Sequence, residues 1–395
     1  MREKWIKIAT ISLAALFLLS AAVLTVRNMV NYPDAFSLYE NKKLSKLETF
    51  SGKSLSDGSF LQSMEPAFSD HMAFREYWLK AYTALQMDVL NKPIVQGLVV
   101  QEDLLLPQYA AAEPEDSWRA AENMVKNLLK LQETVENYGG KFLFVGLPEQ
   151  SSILGDRYPA AIPNNGETFA NRQQALFETG AAAGLQMLDM KPLFLASEDP
   201  TRLYSTADHH YRLQGAYLTY TTICEALAAQ GVEIPVLTEA DFTWKALPNP
   251  FLGSLGRKLL GLWETEEPLW IYELHQPIPF RRWDNGQEVE AEVFDLPEND
   301  AAFVQYNAYM GGDQAETVIQ TDRPALPDCL IFGDSFTNGL ETFLYTSFDE
   351  TRSLDLRHYT EMGILEYVQT HQPDVVICMQ NDTVYLLQEG NGVIE

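Results

Sequence analysis

The segment STADHHYRLQGAY, residues 205–217, sets two of the chain's six histidines side by side next to an aspartate. In an extended segment, residues two apart face the same way. Asp208 can therefore orient and stabilise the imidazole of His210, while His209 points elsewhere. An imidazole held by a carboxylate is suited to general-base chemistry. Such a base needs a proton donor worth activating, and CLIFGDSFTNGLETFL, residues 329–344, offers one. Leu330, Ile331 and Phe332 read as a strand, Gly333, Asp334 and Ser335 as a turn, and the rest as a helix. A serine at a strand-to-helix turn sits exposed at the carboxyl edge of a sheet, beside backbone N–H groups that can stabilise an oxyanion. The pattern G-x-S-x-G is absent, although the mechanical logic of a nucleophile elbow is kept. The order Asp208, His210, Ser335 is no obstacle, because such triads are defined by geometry and role. The chemistry expected is nucleophilic catalysis by a serine that the imidazole activates.

Each residue also has a structural alternative. Asp208 lies a few residues before a helix and could cap it, and Ser335 could be a capping serine at its own helix start. Asp70 and His71 repeat the Asp-His pair inside an apolar, helical segment, where packing or capping is expected. Arg357 and His358 could form an exposed basic turn. A metal site is not expected: Asp208, His209 and His210 are too close in sequence to converge easily, and no companion cluster exists.

These side chains need a scaffold, and the pattern between them is α/β. A strong amphipathic helix with Pro114 near its start and Gly139 at its end leads to the buried strand KFLFVGLP. Another helix and a short strand follow. Leu213, Ala216, Tyr217, Tyr220 and Ile223 then repeat at helical intervals. Residues 235–325 break this rhythm and read as an inserted β and loop region forming one wall of a site. Its aromatic residues suit either a sugar platform or packing against the sheet. DCLIFGDSF, RSLDLRHYTEMGILEYVQTH and PDVVICMQND restore the α/β pattern. The fold class expected is α/β, a largely parallel sheet flanked by helices, with ligands at the carboxyl ends of the strands.

The chain has 395 residues and a net charge of −27, a balance that repels phosphate backbones and excludes nucleic acid as a partner. Arg2, Lys4 and Lys7 precede residues 8–26, which carry no charge and are long enough to cross a membrane as a helix. The basic start favours a cytoplasmic N-terminus. A retained anchor is favoured over a cleaved signal peptide, and both place the rest of the chain outside the cytoplasm. Three divisions are expected: 1–31 as anchor or signal, 32–110 as an extended stalk with a helical and hairpin lead-in, and 111–395 as the α/β domain. Cys224, Cys329 and Cys378 sit in apolar segments and read as buried hydrophobes.

GDSFTNG resembles the first block of the SGNH/GDSL hydrolase superfamily, and PDVVICMQND its third, where a strand ends in Asn-Asp. The Asp-x-His placed before the serine is similar to that of the membrane-associated alginate O-acetyltransferases. DHHY before a helix resembles the signature of the DHHW protein family, with Tyr211 in place of Trp. SDHMAFREYW, DHHYRLQGAY, YMGGD, FGDSF and LDLRHY fall in that family's order. The resemblance implies an SGNH-like fold with Ser335 as nucleophile, His210 as base and Asp208 as its orienting acid. It places Asn381 as an oxyanion-hole side chain, although Met379 stands where a glycine is expected. It also gives Arg357 a role in positioning an acyl group or stabilising developing charge. The implied activity is an extracytoplasmic serine O-acyltransferase or esterase acting on cell-surface carbohydrate. Its partners would be an acyl donor, a glycan acceptor and a membrane protein that delivers the acyl group; no cofactor or metal is implied. The alternative is a non-catalytic carbohydrate-binding or cell-envelope scaffold that keeps the fold. Hydrogen-bond reach between Ser335 and His210 favours catalysis, and a gap of about 8 Å or more favours the scaffold.

Overall fold

The computed structural model describes residues 2–111 and 114–387, so the first residue of the expected anchor and the last eight of the chain lie outside the described residues. Two units are distinguished, one of residues 1–96 with 256–264, the other of residues 97–255 with 265–395.

The first unit begins with helix α1, Arg2–Asn31, which is long and apolar enough to cross a membrane. Thirty helical residues span about 45 Å, more than the roughly 30 Å of a hydrocarbon core. Large apolar side chains such as Leu16 and Leu18 face outward from it. The segment expected as an extended stalk is folded back on itself: Phe36–Ser37 pairs antiparallel with Lys42–Lys43. Helix α2, Ser59–Asp70, and helix α3, Arg75–Ala84, follow. Asp70 accepts hydrogen bonds from Lys42 Nζ at 2.9 Å, Ser45 N at 2.9 Å and Ser45 Oγ at 2.7 Å. Burial would raise its carboxyl, but these donors and the Lys42 charge outweigh it and pull it down to about 2. His71 caps α2, its N–H bonding Ala67 O. Packing and capping thus account for this second Asp-His pair.

The second unit opens on an antiparallel hairpin of β1, Leu98–Val100, and β2, Leu105–Pro107, the hairpin expected from the sequence. Asp116 caps α4, Ser117–Asn137, by accepting the Arg119 N–H at 3.0 Å. Then come β3 (Lys141–Leu147), α5 (Gly166–Ala183), β4 (Met187–Asp189) and α6 (Leu213–Ala229). Five strands of the 235–325 region follow: β5 (Phe242–Ala246), β6 (Trp270–Leu274), β7 (Arg281–Asp284), β8 (Gln287–Val289) and β9 (Glu316–Gln320). The last stretch is β10 (Cys329–Phe332), α7 (Phe336–Leu344), β11 (Glu350–Leu354), α8 (Ile364–His371) and β12 (Val375–Asn381).

The main sheet has the order β8-β7-β9-β11-β10-β12-β3-β4. The five strands from β11 to β4 are parallel, and β9, β7 and β8 extend the sheet antiparallel. Part of the region expected as an insertion forming one wall of a site therefore extends the sheet. The central strands β10 and β12 are buried along their whole length, as their unbroken apolar runs require. Phe142, Phe144, Leu330, Phe332, Val376 and Cys378 share one face of the sheet and pack under α4, α5 and α8. Alternation turns Leu143, Ile331 and Ile377 to the other face.

Strands β5 and β6 pair antiparallel outside the main sheet. Tyr272 stacks on Phe343 of α7 at 4.6 Å, and its hydroxyl donates to Thr342 O. Phe242 meets both rings. These aromatics hold the inserted strands against α7. Cys224, Cys329 and Cys378 are free and buried, as expected.

Candidate active site

Register sets the site. Leu147 of β3 lies opposite Asn381 of β12, and Phe332 of β10 opposite Cys378, so these strands end along one carboxyl edge. Beyond Phe332 the chain turns through Gly333 within van der Waals reach of the neighbouring strand. A Cβ there would lie 2.6 Å from Thr337 Cγ2 and 2.7 Å from Met379 O, distances that only glycine avoids.

Ser335 occupies the cap position of α7 but makes no side-chain capping bond. Its Oγ lies 2.7 Å from His210 Nε2. His210 Nδ1 lies 2.7 Å from Asp208 Oδ1, which also accepts the His210 backbone N–H at 3.1 Å. Asp208 does not cap the following helix, whose cap residue is Arg212. The three residues form one chain of hydrogen bonds across 125 residues of sequence. When Nδ1–H is donated to Asp208, the Nε2 lone pair faces the serine hydroxyl.

The turn carrying Asp208 is built by local bonds rather than by extended backbone. Ser205 Oγ accepts the N–H groups of Ala207 at 3.1 Å and Asp208 at 2.9 Å. Ser254 N donates to Asp208 Oδ2 at 2.6 Å, so both carboxylate oxygens are used. The approach of that loop demands glycine at 253, where a Cβ would sit 2.3 Å from Ala207 O. Asp208 is 2% exposed. Burial would raise its carboxyl, but the His210 imidazole, then His209 and the Ser254 amide, outweigh burial and hold it well below the usual carboxylate range.

Because the backbone bends here, His209 does not point away as alternation implied. Its ring lies 3.8 Å from that of His210, and its Nδ1 is 2.7 Å from Ser254 Oγ and 3.4 Å from Asp208 Oδ1. The ligand atoms of Asp208, His209 and His210 thus converge within 4.8 Å, against the expectation from their adjacency. Each of these atoms already faces a hydrogen-bonding partner, Asp208 and Ser254 included, which suits holding a proton in place. A second convergent set, Asp313, Asp355 and His358, is crossed by Arg357.

Tyr306 stacks on His210 with centroids 3.7 Å apart and planes 5° from parallel, and Phe336 meets the same ring at 4.8 Å. Tyr211, where the resembled signature has Trp, is buried; its hydroxyl donates to Phe336 O at the base of α7.

The helix-start amides are mostly engaged. Phe336 N bonds Asp334 Oδ1 at 3.0 Å, Thr337 N bonds Asp334 O at 2.9 Å, and Asn338 N bonds Ser335 O at 3.3 Å. Among the described residues, the Ser335 N–H has no acceptor, which leaves it as the backbone donor nearest the nucleophilic position. Asn381 Nδ2 donates to Asp334 Oδ2, and its Oδ1 accepts from Thr383. Asn381 therefore braces the turn through Asp334, with one of its two amide protons left for another acceptor. Burial pushes the Asp334 carboxyl up, against the pull of the Phe336 amide, Arg357 and His210. Arg357 is exposed and ion-paired to Asp355 and Asp313, and its charge pulls the Asp334 carboxyl down.

Ser254 and Tyr306 have no sequence signal, since both lie in the irregular 235–325 stretch. Ser205 is three residues before Asp208 and follows a serine-turn pattern that could have been read. Two further carboxyls also went unread. Glu149, just beyond β3, donates its N–H to Asp382 Oδ1 at 2.9 Å, and its Oε2 accepts the Ser151 N–H at 2.9 Å. Burial pushes Glu149 up to about 7 and Asp382 up to about 6.

Residues 101–290 match the family model of the SGNH hydrolase-like domain, acetyltransferase AlgX. The structure is similar to that of PatB1 from Bacillus cereus, solved with a sulfonyl adduct (TM-score 0.63, 19% identity, covering 75% of this chain and 97% of that one). It is also similar to a DHHW family protein from Eubacterium siraeum (TM-score 0.56, 18% identity, covering 75% of this chain and 94% of that one). No curated protein is a significant match to this chain. The resemblance read in the sequence and the SGNH-like fold are both borne out, and the family match supports an O-acetyltransferase kind of function.

Proposed function

We propose that this SGNH hydrolase-like protein is an extracytoplasmic serine O-acyltransferase acting on cell-surface carbohydrate, with ester hydrolysis as its reaction when water replaces the glycan. The observation that carries the reading is the unbroken chain Asp208–His210–Ser335, with 2.7 Å at each side-chain link. A scaffold that had lost its chemistry would have no reason to keep a buried carboxylate, an oriented imidazole and a half-exposed serine in line.

His210 Nε2 takes the hydroxyl proton as Ser335 Oγ bonds to the acyl carbon of the donor. The carbonyl electrons move to oxygen, where the Ser335 N–H stabilises them, and Asp208 stabilises the imidazolium. Collapse breaks the bond to the donor's leaving group, which receives the proton from His210. A sugar hydroxyl then gives its proton to His210 and attacks the acyl carbon, and Ser335 leaves with that proton. The cycle uses no oxidant and no reductant. His210 acts as the base in its neutral form. Helix α1 would hold the domain at the membrane, where a membrane protein presents the acyl group.

The test is covalent and kinetic. An aryl sulfonyl fluoride should label the peptide containing Ser335, and an aryl acetate should be turned over, with acetyl transferred to an added glycan. Ser335→Ala should lose labelling and turnover while keeping its fold. Wild-type turnover in Ser335→Ala would place the nucleophile elsewhere.

A further inference from the structure

The helices that follow α1 present an apolar face with no covering partner among the described residues. Leu61 and Phe68 of α2, and Trp78 and Tyr82 of α3, are exposed. Phe74, at the elbow between the helices, is 60% exposed, and Tyr77 in the first turn of α3 is 74% exposed. Phe74 has φ 59° and ψ 24°, a left-handed conformation that a bulky L-residue avoids unless its surroundings impose it.

The residues just before Phe74 are held by α1. Ala73 N donates to Thr25 Oγ1 at 3.0 Å, and Asn28 Nδ2 donates to His71 O at 3.2 Å. Thr25 lies one residue before the end of the uncharged run 8–26, and Arg27 follows it. The elbow is therefore pinned at the level where the apolar length of α1 ends. A cavity of about 450 Å³ opens there, lined by Leu24, Asn28, Tyr32, His71 and Phe74 among others.

Charge separates this unit from the rest. Residues 1–96 with 256–264 carry 13 Lys and Arg against 10 Asp and Glu, whereas the rest of the chain carries 15 against 45. An anionic surface repels the second set and tolerates the first.

We propose that the 71–78 elbow and the adjoining face of α3 rest in the headgroup–acyl boundary of the bilayer that α1 crosses. Phe74, Tyr77 and Trp78 are its anchors. Tyr and Trp have an apolar body and a polar tip, which fits them to that boundary. The occupant is lipid because the face lies at the depth where the spanning segment leaves hydrocarbon, a level fixed by two hydrogen bonds to α1. The first unit thus has two membrane contacts, one across the bilayer and one along its surface.

The experiment uses the full chain in phosphatidylcholine vesicles, with an environment-sensitive dye on Phe74→Cys or Trp78→Cys. Controls carry the dye at Leu16→Cys in α1 and at Asp57→Cys on the exposed loop. Nitroxide-bearing lipid should quench the dye at 74 and 78 several-fold more than at 57, and an aqueous quencher should show the reverse order. If Leu16 is quenched by lipid while 74 and 78 behave like 57, the face covers a protein partner or a second copy, and the proposal is overturned. If Leu16 is not quenched, the span on which the proposal is built is absent, and it fails for that distinguishable reason. Should either labelled variant lose the wild-type far-ultraviolet spectrum, Tyr82→Cys on the same face reports instead.

Discussion

Asp208→Asn is the sharpest single perturbation of the proposed chemistry, because the amide keeps the shape of the carboxylate and changes only charge and proton pattern. Asp208 accepts from His210 Nδ1 at 2.7 Å on one oxygen and from Ser254 N at 2.6 Å on the other. An asparagine has one acceptor and one donor, so it cannot serve both neighbours. If its oxygen faces His210, its NH2 opposes the Ser254 N–H inside a buried turn. Leaving a buried group without its charge-assisted bond there destabilises the fold by about 1.5–3 kcal/mol. If it flips, its NH2 donates to His210 Nδ1. The ring then carries its proton on Nε2 and cannot take the Ser335 proton. A mis-set tautomer in a triad of this type lowers kcat by about 10⁴, equivalent to roughly 5.5 kcal/mol in the barrier. Substrate contacts are untouched, so KM should change little. The assay is steady-state turnover of an aryl acetate by both proteins, with urea denaturation measured in parallel. An Asp208→Asn protein that keeps a third or more of wild-type kcat would refute the reasoning, because His210 would then not depend on Asp208. The folded Asp208 carboxyl lies below its unfolded range, so it stabilises the fold above about pH 4 and that stability is lost on acidification. Asp208→Asn should lose this acid limb.

Glu149 has the opposite sign: its folded value, about 7, lies above the unfolded value of 4.5, so the fold holds its proton more tightly and loses stability as pH rises from about 4.5 to 7. The loss is about 3 kcal/mol at 1.36 kcal/mol per unit; Glu149→Gln should flatten the dependence of Tm on pH between 5 and 8, and an unchanged slope would show that Glu149 is not the group responsible. Tyr306→Phe keeps the ring stacked on His210 and should leave turnover near wild type, whereas Tyr306→Leu should lower kcat several-fold by loosening the imidazole; equal rates for the two would remove the stack from the argument. Gly333→Ala forces a Cβ to within 2.7 Å of Met379 O. It should lower stability by about 1–3 kcal/mol through overpacking and slow acylation by displacing Ser335, measured as the rate of sulfonyl fluoride labelling.

The sequence alone determined the α/β class, the apolar helix at the start, and the residue types of the site. Those features rest on local rules: helical and alternating periodicity, a strand run ending in Gly-Asp-Ser, an uncharged run of 19 residues. The pairing of Asp208 with His210 was also legible, since both lie within three residues of each other. Alternation gave the wrong direction for His209, because backbone hydrogen bonds donated to the Ser205 and Ser254 hydroxyls bend a segment that would otherwise be extended.

Only the tertiary structure decided how the distant parts meet. The parallel register of β3, β12 and β10 sets which loops share an edge, and the pairing of β12 with β3 joins residues more than two hundred positions apart. Neither the antiparallel extension by β9, β7 and β8, nor the arrival of Ser254 and Tyr306 beside His210, leaves a mark on local composition. The buried pair Glu149 and Asp382 was hidden for the same reason. A carboxyl reads as exposed in sequence, and its burial follows from where two strands end together. Periodicity reports which face of an element is apolar, and long-range pairing alone determines what that face and its ends will meet.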